Sequence, residues 1–233
     1  MVFLNLFLDI IQPGADSLTS VGMPQSDSVS ILDLIMKGGI FMIPLILLSI
    51  LAVYLIVERF LTLRKADRDP GRFLEELHNY VSQGDVSAAK NLCAQYNTPF
   101  ARMLRKGIVK LGKPLQTIEA SIENVGRIEI FKLERNLNTL ATISGAAPMI
   151  GFLGTVSGMV QAFIAIAQHE GTISPKVLSS GIYEAMITTV AGLIVGLIAY
   201  IGYNYLTGKV QKIIHQMEYT SIEFMEFLQE PGK

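Results

Sequence analysis

Two stretches of the chain set small residues and hydroxyls on one helical face inside long uncharged runs. In the first, Gly151, Thr155, Gly158 and Ala162 follow at intervals of four, three and four. In the second, Ala185, Thr189, Gly192, Gly196 and Ala199 follow at four, three, four and three. Each set shares one side of a helix. Such a face lets backbones approach closely in lipid. It also offers a hydroxyl that could relay or solvate an ion in a narrow polar path. The plain alternative is helix packing, with each threonine bonded to its own backbone carbonyl. The pattern by itself leaves both open. Glu184 stands one turn before Thr188 on the same face. An acid at membrane depth is costly and marks a functional site by default; at headgroup level it is only an interfacial charge. Pro148 lacks an N–H, so it kinks its helix or frees a carbonyl.

Other chemistry finds no support in the residue pattern. His78, His169 and His215 lie far apart, and Cys93 is the single cysteine, which reads as a small buried apolar residue. No metal-ligand spacing, phosphate loop, HExxH or nucleophile with a nearby base occurs, so no catalytic role, metal or cofactor is expected. The net charge of −1 gives the chain no electrostatic footprint for nucleic acid. Glu58-Arg59 reads as an interfacial anchor or a partner contact, and Glu218, Glu223, Glu226 and Glu230 as a solvated helix face.

Half of the 233 residues are hydrophobic and the mean hydropathy is +0.43, too apolar for an ordinary soluble domain. Three runs free of Asp, Glu, Lys and Arg stand out: Gly38 to Val57, Asn136 to His169 and Ala185 to Gly208. Each is long enough to cross a bilayer, which needs about 20 apolar residues. The first is mostly Ile, Leu, Val and Met; the other two are rich in Gly, Ala, Ser and Thr. The run Met1–Ile11 is apolar, short and without a basic start, and reads as an interfacial segment rather than a signal peptide. Residues 12–30, rich in Ser, Gly, Asp and Pro, read as a flexible leader.

Charge sets the orientation. Residues 58–135 carry 14 of the 19 Lys and Arg against 10 Asp and Glu. The positive-inside rule therefore puts this segment and the C-terminus in the cytoplasm and the N-terminus outside. Within it, Asp69-Pro70 starts a helix, Gly84 ends it, and Asp85 caps a second that runs to about Tyr96. Asn97-Thr98-Pro99 is a break, and a third short helix ends near Leu111. From Pro114 the pattern predicts one uninterrupted helix to Gln168, about 80 Å long. After the third span Val210, Ile213, Ile214, Met217, Phe224 and Met225 form an amphipathic stripe that should extend inward and pack on it.

The segments 147–159, APMIGFLGTVSGM, and 181–193, GIYEAMITTVAGL, resemble the second- and third-span signatures of the MotA/TolQ/ExbB proton channel family. Gly84-Asp85-Val86 with Ala88-Ala89 and Leu92-Cys93 resembles its cytoplasmic helical pair. The resemblance covers residues 35 to 225. Three spans with one large loop fit the ExbB/TolQ branch, since the flagellar stators have a fourth span. The leader has no counterpart in the family pattern.

The resemblance implies an all-α membrane protein with three transmembrane helices and long cytoplasmic extensions, assembled as a homo-pentamer. It implies two copies of an ExbD/TolR-like single-span subunit inside the pentamer, a TonB- or TolA-like transducer, contact with membrane lipid, and the inner membrane of a Gram-negative bacterium. The family's pore threonines fall on Thr155 and Thr189 and its third-span acid on Glu184; Thr188 adds a hydroxyl, leaving H⁺ and Na⁺ both open. Pro148, Gly151, Gly154, Gly158, Ala162, Ala185, Gly192 and Gly196 would pack around the partner. The expected segments are 1–36, a periplasmic or interfacial leader; 37–57, the first span; 58–135, a cytoplasmic helical domain; 136–168, the second span. A short periplasmic loop, 169–178, the third span, 179–207, and a cytoplasmic helix, 208–233, complete the chain. A non-conducting scaffold, and a gliding or other stator-type motor subunit, remain the alternatives.

Overall fold

The computed structural model describes residues 38–168 and 175–229. The expected leader and most of the short loop lie outside them. Among the described residues there are seven helices and no strand. They are α1 (Met42–Ala66), α2 (Gly71–Ser82), α3 (Val86–Tyr96), α4 (Pro99–Ile108), α5 (Leu115–Glu134), α6 (Leu137–Gln168) and α7 (Pro175–Gln229). The helices long and apolar enough to cross a membrane are α1, the α5–α6 run and α7.

The local signals work as chemistry requires. Asp69 accepts the Gly71 N–H at 3.1 Å and so starts α2, one residue later than Pro70 suggests. Gly84 has φ +75 and ends the turn after α2; Asp85 caps α3 by accepting the Ala88 N–H at 2.9 Å. Asn97 adopts the left-handed region that stops α3, and Pro99 opens α4.

The expected single helix from Pro114 to Gln168 is interrupted. Arg135 is extended (φ −52, ψ 139) and Asn136 left-handed (φ 65), which separates α5 from α6. Asparagine tolerates that conformation because its short amide can bond locally, so the break costs little. The missing packing comes from α1. Arg59, only 5% exposed, donates to the Lys132 carbonyl at 3.1 Å while Glu58 holds its Nε at 2.7 Å. Lys132 lies in the last turn of α5, where carbonyls have no helical partner. The guanidinium therefore caps α5 and favours the negative end of its dipole.

At the other break the expectation also shifts. α7 begins at Pro175, earlier than the third span's expected start at 179. It then continues without a stop to Gln229, so span and C-terminal extension are one helix of 55 residues. At 1.5 Å per residue that is about 82 Å, well over twice a hydrocarbon core. The extension does pack on α5, as the stripe on it requires.

The α2–α5 helices and the end of α7 share one apolar core. Phe73, Phe100 and Phe224 are fully buried. Phe73 meets Phe100 with ring centres 5.2 Å apart and Tyr96 at 5.0 Å, and His78 stacks on Phe227 at 4.2 Å. Gly107 leaves room where Ile122 and Phe224 enter: a Cβ there would lie 2.7 Å and 3.4 Å from them. Glu129, 3% exposed, is held by Arg102 at 2.6 Å and Lys132 at 2.7 Å. Burial pushes its carboxyl up, but the hydrogen bonds from Arg102 and Lys132 outweigh it and hold the group below its ordinary 4.5.

Two outcomes follow. Phe100→Ala should lower unfolding stability by about 3–5 kcal/mol, read by denaturation of the solubilised protein. The folded protein binds the Glu129 proton less tightly than the unfolded chain does. Its contribution is complete above pH 4.5 and disappears as pH falls through the lower folded value. Glu129→Gln should flatten that part of the melting-temperature profile, and an unchanged acid limb would dismiss the ion triad as its cause.

Candidate functional site

The two small-residue faces meet each other within the chain. On α6 the face is Ala147, Gly151, Gly154, Gly158 and Ala162; on α7 it is Gly181, Ala185, Thr188, Gly192 and Gly196. A Cβ on Gly192 would lie 2.6 Å from the Ala147 carbonyl oxygen and 2.9 Å from the Gly151 Cα. One on Gly151 would lie 2.9 Å from the Thr188 carbonyl oxygen. Towards the other end, Gly158 and Gly181 fit against Ala185 and Ala162, each leaving 3.0 Å for a Cβ. Lipid tails are as apolar as any side chain, so association rests on this dense van der Waals contact.

Pro148 belongs to the same seam. Its ring lies 2.5 Å from where a Gly196 Cβ would sit, and the Ser144 carbonyl 3.1 Å from it. Ser144 is the i−4 partner that a proline leaves without an N–H. α6 stays helical through Pro148, and Gly196 makes the room for both groups.

The three threonines take different places. Thr189 donates to the Gly151 carbonyl at 3.0 Å, a hydrogen bond from α7 to α6. Thr188 is 2% exposed, packs on Gly154 and donates to the Ala185 carbonyl at 2.8 Å. Thr155, half-buried at the edge of the seam, donates to the Phe152 carbonyl at 2.6 Å. Each donor is satisfied by backbone, yet each hydroxyl oxygen keeps acceptor capacity. Thr155 and Thr189 are only half-buried, so neither side chain is sealed inside the seam as Thr188 is.

Glu184 is placed elsewhere. Its carboxylate touches Gly39, in the turn before α1, where any Cβ would collide with it. Gly39 also has φ +64, a conformation that costs glycine nothing. The structure thus brings Pro148, Gly151, Gly154, Gly158, Ala162, Ala185, Thr188, Thr189, Gly192 and Gly196 into one seam, with Thr155 on its border and Glu184 against α1's entry.

Sequence reasoning missed Gly39 and assigned no role to Ala147 or Gly181. A small residue one helical repeat beyond each stripe was the available signal for the last two; nothing local marked Gly39. The seam's outer neighbour was also missed: Ile56 of α1 packs on Gly202 of α7, with 2.5 Å to a Cβ there. Cys93 is buried as expected, and burial pushes its thiol up to about 12, which leaves it unreactive.

The chain can be set beside known proteins. Residues 95–219 match the family model described as the MotA/TolQ/ExbB proton channel family. A putative biopolymer transport protein ExbB homolog of Methanothermobacter thermautotrophicus is 28% identical over 191 residues, 81% of this chain and 67% of that protein. A putative biopolymer transport protein ExbB-like 1 of Synechocystis is 30% identical over 192 residues, 81% and 74% of the two chains. The Tol-Pal system protein TolQ of Haemophilus influenzae is 37% identical over 86 residues, 36% and 37% of the two chains.

The seam makes a sharp contrast between Gly192 of α7, which lies inside it, and Gly145 of α6, which lies outside it. Gly192→Ala puts a methyl against backbone atoms that cannot swing away, and should cost about 1–3 kcal/mol. Gly145→Ala meets nothing within 4 Å and should be neutral or stabilising by up to about 1 kcal/mol. Thermal unfolding of both variants in detergent checks the pair; equal melting temperatures would contradict the contact seam.

Proposed function

The chain belongs to the MotA/TolQ/ExbB proton channel family, and from that premise we propose that it is an ion-conducting subunit of an ExbB/TolQ-like motor. It is a multi-pass membrane protein. In this reading it forms a homo-pentamer around two copies of an ExbD/TolR-like single-span subunit. Ion flow down the proton motive force then drives work on a TonB- or TolA-like transducer, for outer-membrane transport or envelope maintenance. The membrane is the inner membrane of a Gram-negative cell. The N-terminus lies outside and the C-terminus in the cytoplasm, in line with the excess of Lys and Arg in residues 58–135.

One observation carries the reading. Thr155 stands half-buried on the border of the seam and Thr189 half-buried within it, both inside runs without charged residues. A hydroxyl oxygen in that position costs energy in lipid and gains a purpose beside a polar or protonatable group. The carboxyl of a single-span partner helix is such a group, and this chain has no Asp in its three uncharged runs. Pro148 and the seam glycines then act indirectly. They hold α6 and α7 in one register so that both threonines border the same path.

A second reading has its own support. Thr155 and Thr188 already bond to carbonyls of their own helices, which is what threonines in a non-conducting scaffold do. The two differ in what Thr155→Val and Thr189→Val do. Both variants should assemble as the wild type does and lose ion-driven activity by about tenfold or more, ~1.4 kcal/mol of coupling. Activity is read as proton-gradient-dependent uptake or envelope integrity in cells that depend on this chain. Wild-type activity in both would leave only the scaffold.

Assembly is tested separately by the native mass of the purified protein, alone and with a co-expressed single-span partner. A pentamer that gains one or two partner copies is expected. A monomer or dimer indifferent to the partner would overturn the motor.

A further inference from the structure

Where α1 and α7 leave the apolar part of their spans, they build a small pocket that the ion path does not use. It measures about 190 Å³ and is lined by Phe60, Leu63, Arg64, Tyr205, Leu206 and Lys209, with Asp67 beside them. Its charges do not balance. Asp67 accepts from Lys212 at 2.8 Å and from Lys209 at 3.4 Å. Arg64 makes no ion pair among the described residues, and neither do Lys65 and Arg68 nearby. Arg64, Lys209 and Lys212 therefore face one carboxylate, Asp67, at a site open enough for an anion to enter.

The pocket is also polarised along the helices. Phe60 precedes Arg64 by one turn on α1, and Tyr205 precedes Lys209 by one turn on α7. The two rings stack at 6.3 Å on the membrane side, partly exposed; the cations lie on the far side. Depth agrees. Glu184, at the outer end of α7's uncharged run, and Lys209 are about 37 Å apart at 1.5 Å per residue. A hydrocarbon core is about 30 Å and the whole bilayer about 40–45 Å, so Lys209 falls in the opposite headgroup layer. Asp67, held ionised below the usual carboxylate range mainly by its hydrogen bond from Lys212, fixes the two lysines there.

We propose that this pocket binds the phosphate of an anionic phospholipid headgroup, held by Arg64 and Lys209, with the first acyl methylenes lying over Phe60 and Tyr205. A planar guanidinium suits a phosphate's paired oxygens, and an ammonium adds a point charge. Basic pockets between spans on the cytoplasmic side suit anionic headgroups in general. The site would fasten α1 to α7 at the membrane surface, beside the Ile56–Gly202 contact, and it stands whether or not the chain conducts ions.

The test uses the full-length protein in detergent, offered phosphatidylglycerol or phosphatidylcholine, with retained lipid counted by native mass spectrometry. Wild type should retain phosphatidylglycerol in preference. Arg64→Gln with Lys209→Gln should lower that retention by about tenfold or more, as two lost surface cations predict. Arg64→Lys with Lys209→Arg should keep most of it, which separates charge from misfolding; helix content by circular dichroism checks both variants. Equal retention of the two lipids by wild type, or undiminished phosphatidylglycerol on the double Gln variant, would overturn the proposal. Inorganic phosphate at millimolar concentration should not displace the lipid; if it does, the pocket takes free phosphate and the lipid assignment is wrong.

Discussion

Backbone contact between α6 and α7 is the constraint on which the membrane part depends. At Gly151 and Gly192 the helices approach so closely that a single methyl would press on main-chain atoms. No apolar driving force joins helices in lipid, so contact this dense has to come from missing side chains. Once the seam is set, much else is determined. Thr188 is enclosed against Gly154, Thr189 reaches across to Gly151, Pro148 finds room beside Gly196, and Thr155 stays on the border.

The extensions depend on a different device. α7 is one uninterrupted helix, while its partner on the other side is broken between α5 and α6. The break lets α5 lean on α4 and on the end of α7 while α6 keeps its register in the seam. Arg59 serves as the joint, bonding the open end of α5 from α1. Displacement of α7 would therefore be felt at the core around Phe224, through one rigid helix rather than through a loop. The same continuity makes the position of α7 sensitive to what holds α1 against it.

The proposed ion path rests on two threonines. The fold leaves both half-buried, Thr155 on the border of the α6–α7 contact and Thr189 bonded across it to Gly151. Glu184 fits this less simply. Its carboxylate lies against Gly39, so its nearest structural relation is to the entry of α1 rather than to the seam interior.

Much of this was legible in the residues. Runs without charge pointed to three helices long and apolar enough to cross a membrane, since desolvating a charge in lipid is costly wherever it sits. The turn signals at Asp85, Asn97 and Pro99 gave the small helices because capping and left-handed turns are local matters. The resemblance carried by residues 147–159 and 181–193 pointed to the family that residues 95–219 match. What local pattern could not show is which surfaces meet. Small residues at intervals of four and three say that something comes close, and only the tertiary structure decided that the first neighbour is the other stripe of the same chain. The helix expected to run from Pro114 to Gln168 failed for the same reason: Asn136 favours a break only slightly, and Arg59, far away in sequence, supplies the bond that makes it worthwhile. The sequence by itself determined the membrane class, the three long apolar helices and the family, because hydropathy and turn chemistry act over a few residues. The seam, the Glu184–Gly39 contact and the cationic pocket of α1 and α7 were decided by tertiary structure, because each joins groups whose energies depend on a partner distant along the chain.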